Sequence, residues 1–174
     1  MKHSELLNPV VIDMKPSGIR KFFDLMSEMK DVISLTIGEP DFITPWHIRE
    51  AAIESLEKGK TYYTSNAGTV DLRNEISSYM KRRFELDYNP KEEVFVTVGG
   101  SEAIDVAMRS LLEPGDEVIL PCPCFVCYEP IATMLGAKVV NINTKPENNF
   151  KLTADEVKSA ITDKTKLLVL PFPN

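Results

Sequence analysis

Apolar positions in the second half of the chain switch repeatedly between a helical period and short continuous runs. Thr69 precedes Leu72, Ile76, Tyr79, Met80 and Phe84, a helical stripe behind a capping residue. Val94-Phe95-Val96-Thr97-Val98 reads as a strand, and Glu102 to Leu112 as a helix. Pro114-Gly115-Asp116 turns the chain into a second strand, Glu117 to Leu120. A helix over Tyr128 to Leu135 and a strand over Lys138 to Ile142 follow. Thr153-Ala154-Asp155-Glu156 has the spacing of a capping box, predicting a helix to about Ile161, and Lys166 to Leu170 is a last strand. Repeated strand–helix alternation predicts an α/β fold with a mostly parallel sheet, which receives ligands at the C-terminal ends of its strands.

The first half is less regular. Residues 1–16 have no period and are punctuated by Pro9 and Pro16. Ile19, Phe22, Phe23 and Met26 fall at helical spacing, and residues 32–37 alternate as a short strand that breaks at Gly38-Glu39-Pro40-Asp41. Thr44-Pro45 predicts an N-cap and first-turn proline for a helix with Ile48, Ala51, Ala52 and Leu56 on one face, closed by Gly59. Tyr62 to Gly68 is a loop, and the polar run Asn143 to Lys151 reads as a surface loop.

Composition narrows the function classes. The 174 residues are 43% hydrophobic and 26% charged, as in an ordinary globular protein. A net charge of −6 disfavours a nucleic-acid partner, because phosphate backbones select basic faces. No apolar run reaches spanning length and the start leads into no secretory segment, so no membrane partner and a cytoplasmic location are expected. Cys122, Cys124 and Cys127 cluster, but His3 and His47 lie far away in sequence and no metal site is expected.

The strongest local signal is Val96-Thr97-Val98-Gly99-Gly100-Ser101-Glu102-Ala103. Glycines between a strand and a helix let backbone approach a ligand, and the helix N-terminus offers free N–H groups to a phosphate. The same residues also suit a tight turn in which Ser101 only caps. The spacing is neither that of a nucleotide P-loop nor that of a dinucleotide fingerprint. Phe125, in the loop after the next strand, has the flat apolar ring a planar cofactor needs, or else belongs with Tyr128 in the core. Tyr63 offers a phenol to a phosphate or sits at the surface, and Gly38 offers close backbone approach in a common turn type.

In order, Pro16-Ser17-Gly18-Ile19-Arg20, Ile37-Gly38-Glu39-Pro40-Asp41-Phe42, Thr44-Pro45, Tyr63-Thr64 to Gly68 with Leu72-Arg73, the glycine turn, Pro114 to Ile119 and Ala160-Ile161-Thr162 form a set. That set resembles the fold-type I pyridoxal-phosphate aminotransferases of class I/II, the aspartate and aromatic group, over nearly the whole chain. The resemblance implies a three-layer α/β/α large domain, here incomplete. Residues 1–40 would form the N-terminal arm and the start of the small domain, and residues 41–174 the first part of the large domain. It implies pyridoxal 5'-phosphate as cofactor. Gly100, Ser101 and Glu102 would form its phosphate cup, Phe125 would stack on its ring, and Tyr63 would reach the phosphate of a neighbouring subunit in a homodimer with shared active sites. Gly38 would lie near the substrate carboxylate, and the substrates would be an amino acid and a 2-oxo acid.

The final run Leu168-Val169-Leu170-Pro171-Phe172-Pro173-Asn174 resembles the family strand that leads to an asparagine contacting the cofactor. On this expectation no catalytic residue lies within the 174, because the lysine that holds the cofactor follows them, and the chain alone would be inactive. Two further readings share these motifs: a pyridoxal-phosphate-dependent carbon–sulfur lyase, and a non-catalytic binding module that keeps the fold.

Overall fold

The computed structural model describes residues 6–16, 18, 33, 38 and 40–172. The expected helix over 17–26 and strand over 32–37, apart from Gly18 and Ile33, lie outside the described residues, as does Asn174. The chain divides into two compact units, one of residues 1–17 with 98–174 and one of residues 18–97.

The first unit holds the parallel sheet. Strand β1 (Glu117–Cys122) lies between β2 (Lys138–Asn143) and β3 (Thr165–Leu168), in the order β2-β1-β3. Its register runs Glu117 to Lys138 through Cys122 to Asn143 on one side. On the other, Val118 pairs with Leu167 and Ile119 with Leu168 after an irregularity at Glu117. The central strand is buried on both faces, as a parallel strand flanked by helices must be. Val118, Ile119 and Leu120 are fully inaccessible, each contributing roughly 1.5–3 kcal/mol of apolar burial. The helices of this unit are α1 (Pro9–Asp13), α4 (Gly100–Leu111), α5 (Tyr128–Met134) and α6 (Ala154–Ala160). Ile104, Met108 and Leu112 recur at four-residue spacing and carry α4 into the core with Ile131, Ala132 and Ala137. α5 packs on α4, β1 and β2, and α6 packs on β2.

The second unit holds α2 (Trp46–Glu57) and α3 (Val70–Phe84). Thr69 caps α3 as its spacing predicts, its hydroxyl accepting from the Leu72 N–H at 3.4 Å. Gly68, at φ +93°, lies so close to Val96 that an added Cβ would come within 2.8 Å of that side chain. Arg73 is buried on α3, and its Nη1 donates to the Lys91 carbonyl at 3.3 Å.

Three expectations need correction. Val94 to Val98 is not a strand: Val96 N–H donates to the Ala67 carbonyl, Val98 sits in a bend, and no ladder forms. Apolar alternation favours an extended backbone, whereas a strand also needs a partner. Residues 1–16 are not wholly irregular, because Asn8 accepts from the Val10 N–H and Pro9 opens α1. α2 begins at Trp46 with Pro45, not Thr44, in the capping position and with no side-chain cap. The capping box at Thr153 forms in full, with reciprocal bonds between Thr153 and Glu156.

Candidate functional site

The turn into α4 is built by Gly99, which adopts φ +85° at the N-cap, a conformation that favours glycine. No side chain caps this helix end. Ser101 therefore does not serve as the cap; it stands exposed within the first helical turn. The N–H groups of Gly100, Ser101 and Glu102 occupy positions that have no intrahelical acceptor. Glu102 turns its carboxylate back to accept from the Val98 N–H, just ahead of the helix. Open donors, a hydroxyl and the positive end of a twelve-residue helix suit an anion such as a phosphate.

The loop after β1 presents the aromatic ring. Phe125 and Tyr128 meet edge to face, with centroids 5.9 Å apart and planes at 85°. They share a contact but not a role: Tyr128 packs on the core, while half of Phe125 stays exposed and available to stack. Burial pushes the Tyr128 phenol above its ordinary value. The same loop, with Cys122 at the end of β1, walls a cavity of about 580 Å³ with Asp13, Met14 and Lys15 and the first turns of α5. The part of residues 13–15 in this cavity was not legible in their aperiodic sequence; Asn8 ahead of Pro9 was the available signal. Gly100, Ser101 and Glu102 do not line the cavity. They belong to the same unit as Phe125, which lies in the loop leading to α5, the helix that packs on α4.

Burial pushes the Cys124 thiol up to about 11, with the neighbouring Cys122 adding to the effect. Burial raises Cys127 as well. Among the described residues no group of three His, Cys, Asp or Glu side chains is placed to hold a metal ion. No helix among them is long and apolar enough to cross a membrane.

In the second unit, Tyr63 is fully exposed on its loop, and Gly38 is exposed with open space where a Cβ would stand. Both positions leave room for a ligand or a neighbouring chain.

The model of the family "Aminotransferase class I and II" matches residues 30–174. The aspartate aminotransferase of Pyrococcus abyssi is 44% identical over 160 residues, which cover 92% of this chain and 41% of the relative. The aromatic-amino-acid aminotransferase 2 of Thermococcus litoralis is 41% identical over 92% of the chain and 41% of its own length. The solved aspartate aminotransferase of Thermus thermophilus with maleate superposes with a TM-score of 0.87 at 40% identity, covering 97% of this chain and 45% of that one. The chain thus spans less than half the length of the relatives it matches. The family model covers most of the chain, and the chain belongs to the class I and II aminotransferases.

Proposed function

We propose that the protein containing these 174 residues is a pyridoxal-phosphate-dependent aminotransferase that moves an amino group between an amino acid and a 2-oxo acid. The observation that carries this reading is the uncapped glycine turn into α4, with its open N–H donors, in a chain matched by the aminotransferase family model. When bound, pyridoxal phosphate supplies the electron sink for chemistry at the amino acid's α-carbon.

In this reading the N–H groups of Gly100, Ser101 and Glu102, with the Ser101 hydroxyl, hold the phosphate. Phe125 offers its exposed face to the ring, and Gly38 offers backbone to the substrate carboxylate. Tyr63 extends toward the phosphate site of a second subunit, making the protein a homodimer, and its location is the cytoplasm. Residues 1–40 belong to the arm and small domain and residues 41–174 to the large domain. In this reading none of the 174 residues takes the covalent bond to the cofactor, and they do not turn over alone. Aspartate and aromatic amino acids are the donors named for the relatives above, and they are the first to test here. Those names also favour amino transfer over the lyase and binding-module readings.

The test is transfer of isotope-labelled nitrogen from aspartate, phenylalanine or tyrosine to 2-oxoglutarate by the full-length protein supplied with pyridoxal phosphate. Labelled glutamate supports the proposal. No transfer from these or any other common amino acid, by folded protein with saturating cofactor, overturns it.

A further inference from the structure

We propose that Cys122 and Cys124 form a reversible thiol–disulfide exchange site whose reaction partner is a small-molecule disulfide of the glutathione class. Cys122 closes β1 and Cys124 follows two positions on, near enough for the Cys122 thiol to add to the upward shift of Cys124, and the Cys122 Sγ contacts the Asn141 Oδ1 at 3.3 Å across the strand pair. Both are partly exposed and line the 580 Å³ cavity beside Phe125, which gives a small disulfide access. Cys127 lies outside that lining, at the start of α5. Two residues of extended chain span at most about 7 Å. Native bridges have Cα separations of roughly 4.4–6.8 Å, which lie within that reach.

The step balances without a metal. One protein sulfur, as thiolate, attacks the small disulfide, forming a mixed disulfide and releasing one small thiol. The second protein sulfur gives up its proton and attacks the first, releasing the other small thiol and closing the Cys122–Cys124 bond. Two electrons pass from the protein thiols to the small disulfide, and excess small thiol reverses the sequence. Cytosolic disulfides are characteristically transient ones of this kind. Cys124 directly precedes Phe125, so the bridge would tie the base of the presented ring to the end of β1. The inference goes beyond the proposed activity and does not depend on it.

The test incubates the folded full-length protein with oxidised glutathione, then maps the cysteines by digestion and mass spectrometry. The expected result is a peptide with Cys122 and Cys124 joined, lighter by two hydrogens and restored by dithiothreitol. Cys127→Ser should close the bridge as the parent does, whereas Cys122→Ser and Cys124→Ser should not. Three free thiols, a glutathione adduct that never resolves, or a bridge to Cys127 would each overturn the proposal. Mapping the unsubstituted protein decides the matter even where a variant fails to fold.

Discussion

Glu117 and Lys138 are register partners across β1 and β2, and their side chains meet with Oε1 2.8 Å from Nζ. The other carboxylate oxygen accepts from the Thr162 hydroxyl at 2.7 Å, just ahead of β3. One nearly inaccessible carboxylate therefore ties all three strands together at the end of the sheet opposite the Phe125 loop.

The hydrogen bond from Lys138, then that from Thr162, hold the Glu117 carboxyl below its ordinary value. A depressed folded-state value stabilises the fold above the unfolded carboxylate's range, and that stability is lost as pH falls through the folded value. Glu117→Gln should therefore lower the urea midpoint at neutral pH. It should also flatten the decline of that midpoint on acidification below about pH 4. Parallel acid profiles for the two proteins would contradict this role.

Gly68 is held at φ +93° against Val96, where a methyl group meets that side chain at 2.8 Å. Gly68→Ala combines left-handed strain with a clash and should destabilise the second unit by about 1–3 kcal/mol. Gly59→Ala, at φ +68° with nothing within 4 Å, meets strain alone and should cost less. Denaturant titrations rank the two, and equal costs would remove the steric part of the explanation.

Cys124 is raised to about 11 by burial, with Cys122, Glu129 and Cys127 as its charged or titratable neighbours; Asp13 and Lys15 face the same cavity. Because only the thiolate reacts, alkylation of Cys124 by iodoacetamide should be slow at neutral pH and still rising at about pH 10. A rate that levels off near the ordinary thiol range would contradict the burial. The same proton retention predicts that closure of the Cys122–Cys124 bridge accelerates with pH.

Local chemistry made much of the fold legible. Thr69 and Thr153 each satisfy an orphan helix donor at a fixed offset, so their helices begin where the capping pattern places them. β1 was readable because a parallel strand buried on both faces is a short apolar run between helices. Val94 to Val98 misled because an apolar run carries no information about whether a neighbour will pair with it. The candidate site was legible where backbone conformation decides it, as at Gly99. It was not legible where tertiary packing decides it: nothing in the aperiodic run Asp13 to Lys15 ties it to a cavity formed with residues more than a hundred positions away.

The central claim is that the first turn of α4 holds a phosphate, and Ser101 tests it most directly. Affinities of full-length protein and its Ser101→Ala variant should be measured for pyridoxal phosphate and, in parallel, for pyridoxal, which lacks the phosphate. A hydrogen bond to a charged group contributes about 1.5–3 kcal/mol, so the variant should bind pyridoxal phosphate about tenfold or more weakly. Its affinity for pyridoxal should be unchanged. Equal affinity of the two proteins for pyridoxal phosphate, or an equal loss for both ligands, would contradict the account.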